Sequence, residues 1–155
     1  MMRDFQIRTA NEADLPACAQ IIDRYIESTP WLPRTISSEE LSAIFGPELL
    51  KTRHLLVASG PDDVVAGYLS LNIETGHIPG LYVAPAHQRC SIGKGLLDGA
   101  KDEKPDGLHL TVFEPNRDAK RFYEREGFVE SVEERTEETD EGVPTLMMRW
   151  AGKGG

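Results

Sequence analysis

Apolar and polar positions in the first part of the chain change from alternation to helical spacing. Phe5 and Ile7 alternate with polar residues, which predicts a short first strand. After Asp14, the residues Leu15, Cys18, Ile22 and Tyr25 recur at helical intervals, so Cys18 is expected in the core. This predicts a helix with Asp14 as its N-cap and Pro16 in its first turn. Segment 27–34 contains two prolines and a tryptophan and predicts a loop.

A second helix is predicted by a capping-box spacing. Ser37 and Glu40 stand three residues apart, so each side chain can bind the other's main-chain N–H. Leu41, Ile44 and Phe45 follow as its expected apolar face. A Gly-Pro pair is expected to end the helix.

Strands and helices then alternate along the rest of the chain. The predicted strands are 54–59, 64–73, 77–83, 108–113, 128–135 and 144–150, and the predicted helices are 93–103 and 116–126. Pro79 and Gly80 lie inside the third of these strands and predict a bulge or a gap in its pairing. This order of elements indicates a mixed α/β sheet.

Composition narrows the class of protein. A chain of 155 residues suits one domain, which we predict over residues 1–150 with a flexible tail at 151–155. The net charge of −9 argues against a nucleic-acid partner, and no apolar run has transmembrane length. Cys18 and Cys90 are far apart, which predicts neither a metal site nor a redox pair. We expect a cytoplasmic protein without a membrane partner.

A loop that leads into a helix stands out as an anion site. The strand that includes Leu81 is broken by Pro85, and a helix is predicted near Gly93. The first amides of a helix have no internal partner and favour anions. Small residues at Ser91 and Gly95 would let a phosphate approach the main chain. The alternative is a strand-to-helix turn whose glycines serve only tight packing.

A second segment gives the loop a family context. Residues 116–128 read Asn-Arg-Asp-Ala-Lys-Arg-Phe-Tyr-Glu-Arg-Glu-Gly-Phe. Together with the loop from Gln88 to Gly95, this segment resembles the GNAT superfamily of acetyl-CoA-dependent N-acetyltransferases. In that family a Gln/Arg-x-x-Gly-x-Gly/Ala loop holds the pyrophosphate of coenzyme A. An Asn-x-x-Ala-x-x-Phe-Tyr-x-x-x-Gly-Phe segment places an asparagine and a tyrosine near the thiol. Ser91 stands where the loop usually has glycine.

The resemblance implies a fold and an activity. The implied fold is a central, mostly antiparallel sheet of about seven strands, splayed open at its middle, with helices on both faces. The implied reaction is direct transfer of the acetyl group of acetyl-CoA to a primary amine of a small molecule or peptide, without a metal. The enzyme is expected to be a monomer or homodimer. Two alternatives are an idle acyl-CoA-binding module and an unrelated phosphate-binding α/β domain.

Acetyl-CoA is expected to bind along the loop, the preceding strand and the second segment. The predicted cofactor-binding residues are Leu81, Tyr82, Val83, Gln88, Arg89, Cys90, Ser91, Ile92, Gly93, Lys94, Gly95, Asn116 and Tyr123. A bulge in the strand would leave main-chain groups near Leu81 available to the pantetheine arm. The resemblance implies that an amide near Val83 also polarises the acetyl carbonyl. We expect Ser91 to keep an ordinary backbone conformation and to add its hydroxyl as a donor.

Catalytic roles follow mainly from the resemblance, which implies that Tyr123 protonates the departing thiolate. On periodicity alone, Tyr123 is equally a half-buried packing residue. The general base is expected to be His77, whose ordinary pKa near 6.5 suits proton transfer, or else Glu74 or a water chain. Trp31 is the predicted acceptor-binding residue, unless it only covers the core edge. The acidic run at 133–141 is either part of a solvated hairpin or a surface that attracts a polyamine-like or basic peptide amine.

Overall fold

The computed structural model describes residues 5–84, 91–136, 139 and 141–153. Its strands are β1 (Gln6–Thr9), β2 (His54–Ser59), β3 (Val65–Asn72), β4 (His77–Val83), β5 (Leu108–Phe113), β6 (Val129–Thr136) and β7 (Thr145–Trp150). Its α-helices are α1 (Leu15–Glu27), α2 (Ser38–Ile44), α3 (Leu49–Thr52), α4 (Ile92–Glu103) and α5 (Arg117–Arg125). Within this part of the chain, seven strands form a sheet in the order β1-β2-β3-β4-β5-β7-β6. Neighbouring strands are antiparallel except for β4 and β5, which are parallel.

Both faces of the sheet are covered, as its alternating side chains require. Leu55 and Val57 of β2 pack with Cys18 in the core that α1 covers. Leu56 and Ala58 of the same strand point the other way, into the core under α4. The predicted mixed α/β fold, with helices on both faces, is confirmed. Cys18 is also a core residue as predicted, and burial raises the pKa of its thiol to about 12.

Asp14 precedes α1, but its side chain does not cap that helix. Asn11 caps the 3₁₀ turn Glu12–Asp14, and the Asp14 carboxylate accepts the Asn11 N–H at 2.8 Å. The same carboxylate binds both terminal nitrogens of Arg8, at 2.7 and 3.0 Å. Asp14 therefore occupies the N-cap position of α1 as predicted, but its side chain makes no capping hydrogen bond to that helix. Asp14 is only 5% exposed, and its carboxylate forms an ion pair that joins β1 to the start of α1.

The second helical region follows its sequence signals only in part. The capping box of Ser37 and Glu40 is confirmed. Leu41 is buried as predicted. Ile44 is 51% exposed, so the prediction that it lies on the buried apolar face was wrong. The Gly-Pro pair ends α2 as expected. A further short helix, α3, follows the pair, and its Leu49 packs against the core on the α1 face.

The sheet opens between β4 and β5. Their register consists of one pair, His77 with His109, within the part of the chain described here. The predicted bulge is present, because Gly80 lies opposite Ser70 while His77 lies opposite Asn72. The bulge does not free residues 81–83, which remain paired with β3. The opening lies on the other edge of β4, where the strand diverges from β5.

The last two strands form the predicted hairpin, with a register irregularity between Ser131 and Thr136. After β7, the Lys153 N–H donates to the carbonyl of Pro105 at 2.9 Å, and the Lys153 ammonium pairs with Asp102. The division into one domain over 1–150 and a tail at 151–155 stays a prediction. Among the described helices, none has the length and apolarity to cross a bilayer.

The Arg8–Asp14 pair gives a stability prediction. Asp14→Asn keeps the side-chain shape but removes the negative charge facing Arg8, and should lower the free energy of unfolding by about 2 to 4 kcal/mol. Asp63 is the matched control, since it also binds Arg8 but its side chain is 72% exposed. Asp63→Asn should lower stability by less than about 1 kcal/mol. Urea denaturation measures both, and equal losses would contradict a special role of Asp14.

The same pair predicts a pH dependence. The hydrogen bond from Arg8 is the main cause that lowers the pKa of Asp14. A lowered pKa in the folded state means that the carboxylate stabilises the fold above its unfolded pKa of about 3.9. This stabilisation is lost as the pH falls through the folded value. The stability difference between the parent and Asp14→Asn should therefore be constant near neutral pH and shrink below about pH 4.

Candidate active site

Two cavities share part of their walls where β4 and β5 separate. The larger, about 720 Å³, is lined by residues from the start of α4, from α5, from the end of β4 and from the end of α1 onward. The smaller, about 330 Å³, is lined by α1, the loop after it, β4 and β5. The residues that line both cavities are Tyr25, Leu81, Tyr82, Asn116, Ala119 and Tyr123.

The larger cavity contains the N-terminus of α4. Ile92 begins the helix, and the first internal bond to close it joins the Gly95 N–H to the Ser91 carbonyl at 3.1 Å. The amides of the first turn consequently have no partner within the helix. Ser91 and Gly93 line the cavity beside this turn. The arrangement presents main-chain donors to the cavity, as an anion site requires.

Ser91 adopts a left-handed backbone conformation, with φ at 61°. The expectation of an ordinary backbone at this position was wrong. The left-handed conformation brings the Cβ of an L-residue close to a carbonyl oxygen and costs on the order of 1 kcal/mol, which glycine would avoid. The Ser91 side chain makes no capping hydrogen bond to α4.

Gly93 faces the cavity without being needed for packing. A Cβ at this position would lie 3.5 Å from the Phe122 ring and 3.9 Å from a methyl of Val83, which are ordinary contact distances. The fold therefore has room for a side chain here, and that room is part of the cavity wall. The absence of a side chain widens the cavity beside the first turn of α4.

Lys94 lines the same cavity, but carboxylates pair with its charge. Its ammonium lies 3.2 Å from Asp98 and 3.2 Å from Glu126, and these contacts, that with Asp98 first, raise its pKa. The predicted contributors Gln88, Arg89 and Cys90 lie outside the described residues. Their roles remain predictions.

The end of β4 directs main-chain groups toward the opening. The Ala84 N–H donates to the Ala66 carbonyl across β3 at 2.7 Å. In an antiparallel pair, residues alternate between facing the partner strand and facing away from it. Tyr82 therefore bonds toward β3, while the N–H and C=O of Leu81 and Val83 face the side on which β5 diverges.

Asn116 joins α5 to α1 across the opening. Its Oδ1 accepts the Ala119 N–H at 3.2 Å, so the predicted N-cap is confirmed. Its Nδ2 donates to the hydroxyl of Tyr25 at 3.2 Å. The helical spacing after Asp14 had included Tyr25 only as a core residue. No local signal in α1 indicates that its hydroxyl meets a residue 91 positions later.

Tyr123 is buried at the wall that both cavities share. It is 8% exposed and packs against the rings of Phe122 and Phe128, with centroids 5.1 and 5.5 Å away. Its hydroxyl makes no hydrogen bond with any residue that the structure describes. Burial, with smaller contributions from Tyr82 and Tyr25, raises the pKa of Tyr123 well above the ordinary value. The phenol is therefore a neutral donor at physiological pH.

Two further tyrosines line the shared wall. The rings of Tyr25 and Tyr82 lie 5.0 Å apart, and Tyr82 lies 5.8 Å from the fully buried ring of Tyr68. Burial, followed by the charges of Tyr25 and Glu141, raises the pKa of Tyr82 to about 12. Both cavities are thus bounded by phenol groups that stay protonated.

His77 lies apart from this wall. It stacks on His109 at the start of β4, with ring centroids 5.1 Å apart, and lines neither cavity. Burial, together with His109 and Arg53, lowers the pKa of His77. Glu74 lies in the exposed turn before β4 and also lines neither cavity. The structure does not bring His77 or Glu74 together with Tyr123 in either cavity.

Trp31 lines the larger cavity, together with Ser91 and Gly93, and not the smaller one. Its ring meets the edge of Phe113 at 5.7 Å. The role of Trp31 in acceptor binding stays a prediction. Leu32 and Pro33, which follow Trp31, and Glu141, the last residue of the acidic run, line the smaller cavity. Across the described ranges, no cluster of three or more histidine, cysteine or acidic side chains is arranged to hold a metal ion.

Solved structures share this architecture over nearly the whole chain. Apo YjaB from Escherichia coli is 25% identical, with 96% of this chain and 98% of that chain covered and a TM-score of 0.75. The yncA protein from Salmonella typhimurium, solved with acetyl-CoA, is 23% identical, with 95% and 93% covered and a TM-score of 0.74. Spermidine N-acetyltransferase from Vibrio cholerae, solved with CoA and spermine, is 21% identical, with 94% of each chain covered and a TM-score of 0.71.

The family assignment comes from a sequence comparison that is independent of these structures. None of the curated proteins matches the chain significantly. The family model described as Acetyltransferase (GNAT) domain matches residues 29–151, which include β2 to β7, α4, α5 and every residue of the shared wall except Tyr25. The chain therefore belongs to the GNAT acetyltransferase family.

Proposed function

We propose that this protein is an N-acetyltransferase that moves the acetyl group of acetyl-CoA to a primary amine of a small molecule or peptide by direct attack. The observation that carries this proposal is the shared wall of the two cavities. One cavity contains a helix N-terminus suited to an anion, and the other shares Tyr123 and five more lining residues with it. Two reactants bound in these cavities could meet without a covalent enzyme intermediate.

The larger cavity is the proposed acetyl-CoA site. The amides of the first turn of α4 would bind the pyrophosphate, and Gly93 would let it come close. Main-chain groups of Leu81 and Val83 would bind the pantetheine arm and polarise the acetyl carbonyl. Of the similar structures, that of yncA was solved with acetyl-CoA and that of spermidine N-acetyltransferase with CoA, which supports the cosubstrate.

The proposed reaction proceeds in one addition and one expulsion. The acceptor ammonium first loses a proton to water or to another group of the smaller cavity; His77 and Glu74 do not take it, because neither lines either cavity. The neutral nitrogen attacks the acetyl carbonyl carbon, a C–N bond forms, and the C–S bond breaks. The thiolate takes a proton from Tyr123, and the phenolate recovers one from the nitrogen that has become an amide. The products are the acetamide and CoA thiol.

Tyr123 is the strongest candidate for the acid among the tyrosines of the shared wall. The Tyr25 hydroxyl already accepts a hydrogen bond from Asn116, whereas that of Tyr123 has no partner among the described residues. Proton transfer from an ordinary phenol to a thiolate is uphill by about 2 kcal/mol in water. The same burial that raises the pKa of Tyr123 also raises the basicity of a thiolate expelled beside it.

The cofactor site is tested by the same substitution at two glycines of α4. Gly93→Ala should weaken acetyl-CoA binding by about tenfold or more, because the new methyl occupies the cavity wall. Unliganded stability should be unchanged or slightly higher, since alanine favours a helix. Gly99 faces Leu56 in the core, with 3.0 Å available for a Cβ. Gly99→Ala should therefore change stability and leave affinity intact. Calorimetry and thermal unfolding measure both, and equal affinities for Gly93→Ala and the parent would refute the site.

The acid is tested by a set of three tyrosine-to-phenylalanine variants. Tyr123→Phe should lower kcat by about 10²- to 10⁴-fold with little change in acetyl-CoA affinity. Tyr25→Phe and Tyr82→Phe serve as controls, since they remove hydroxyls from the same wall and should retain activity within about tenfold. Thiol release is measured with an amine for which chemistry limits the rate.

Two outcomes would contradict the proposal at different levels. If Tyr123→Phe keeps turnover within about threefold of the parent, its hydroxyl is not the acid. If the parent binds acetyl-CoA but releases no thiol with any primary amine, the chain is an idle acyl-CoA-binding module.

A further inference from the structure

The smaller cavity is lined mostly by apolar side chains, together with several hydroxyl and amide groups and one charged group among the described residues. Its apolar side chains come from α1, from the loop after α1 and from β5. Six of them are Ile22, Ile26, Leu32, Ile36, Val112 and Phe113. Glu141, on the turn between β6 and β7, is the one charged side chain among the described residues of this wall. A carboxylate facing an apolar cavity favours a ligand that combines a cation with an apolar body.

Glu141 carries a charge that nothing in the described structure neutralises. On the same hairpin, Glu130 pairs with Lys120 at 2.6 Å and Glu134 pairs with Arg149 at 2.7 Å. Glu141 has no ion pair or hydrogen bond with any described residue, and the described wall of the smaller cavity contains no cation. Its half-buried carboxylate is therefore available to a ligand.

The turn that carries Glu141 is held in place by its own hydrogen bonds. The Thr139 hydroxyl donates to the Val143 carbonyl at 2.7 Å and accepts the Val143 N–H at 3.1 Å. The Gly142 N–H donates to the Thr139 carbonyl at 2.9 Å, and the Val143 side chain is buried. These contacts join Thr139 to Gly142 and Val143, the two residues that follow Glu141.

The Glu141 carboxylate also interacts electrostatically with a tyrosine of the shared wall. Its charge is one of the contributions that raise the pKa of Tyr82, and Tyr82 lines both cavities beside Tyr123. A cation bound by Glu141 would lie in the cavity whose wall also contains Tyr82 and Tyr123.

We infer that the acceptor is a small primary amine with one apolar substituent, and that Glu141 binds its ammonium while the apolar wall binds the substituent. This inference rests on the acetyl transfer proposed above. A volume of about 330 Å³ suits a small ligand. A polyamine fits less well, because the described wall offers its second ammonium no second carboxylate.

The first test is a series of acceptors. Thiol release by the parent enzyme is measured with propylamine, butylamine, hexylamine, 2-phenylethylamine and spermidine. The value of kcat/KM should rise by about fourfold for each methylene from propylamine to hexylamine, as each is buried in the cavity. Spermidine should have a lower kcat/KM than hexylamine. The reverse order would overturn the inference while leaving the acetyl transfer intact.

The second test removes the charge of Glu141 without changing its shape. Glu141→Gln should raise the KM for hexylamine by about tenfold to a hundredfold, because one charge-assisted hydrogen bond is lost. The Kd for acetyl-CoA should be unchanged. Glu134→Gln is the matched control on the same hairpin, outside both cavities, and should keep the parent KM. This split between acceptor KM and acetyl-CoA affinity separates a binding role from general damage to the fold.

The remaining outcomes also decide the inference. If Glu141→Gln keeps the parent KM within twofold, Glu141 does not bind the acceptor, although amine acetylation itself still stands. If the parent enzyme binds acetyl-CoA and acetylates no amine of the series or of a wider panel, the acetyl transfer and this inference both fail.

Discussion

Two neighbouring strands that separate inside a sheet leave main-chain groups without the partners that a continuous ladder would supply. Here β4 and β5 meet at His77 and His109 and then diverge, and both cavities lie along the divergence. The N–H and C=O of Leu81 face away from β3 along this divergence, where the proposed cosubstrate would lie. The position of α4 and α5 on this edge of β4 adds a helix N-terminus and a buried phenol. The proposed chemistry depends on this interruption of the sheet.

The divergence is bridged by side chains. Asn116 bonds to Tyr25, and the Tyr25 ring packs on Tyr82, so α5, α1 and β4 are connected around the shared wall. These connections keep aromatic groups on both sides of a gap that would otherwise lack a core. Of the three phenols of the shared wall, Tyr25 is the one whose hydroxyl bonds to Asn116.

Local sequence signals predicted the positions of the strands and helices well, but they did not predict contacts between residues distant in sequence. Alternation, capping chemistry and the Asn116 segment gave strand and helix positions close to those observed. The ion pair of Asp14 with Arg8 was not predicted, because aspartate is a favoured residue both at a helix N-cap and in a buried ion pair. The left-handed backbone of Ser91 and the separation of His77 from Tyr123 depend on how elements are placed in space. No pattern within one element encodes them.

The hydrogen bond from Asn116 to Tyr25 has a consequence for the order of binding. Both residues line both cavities, so any ligand that competes for this bond on one side alters the wall of the other. Linkage then requires the effect to be mutual: a cosubstrate that changes the affinity for the acceptor must have its own affinity changed by the same factor. A single side-chain amide would in that way make the two half-sites thermodynamically dependent on each other.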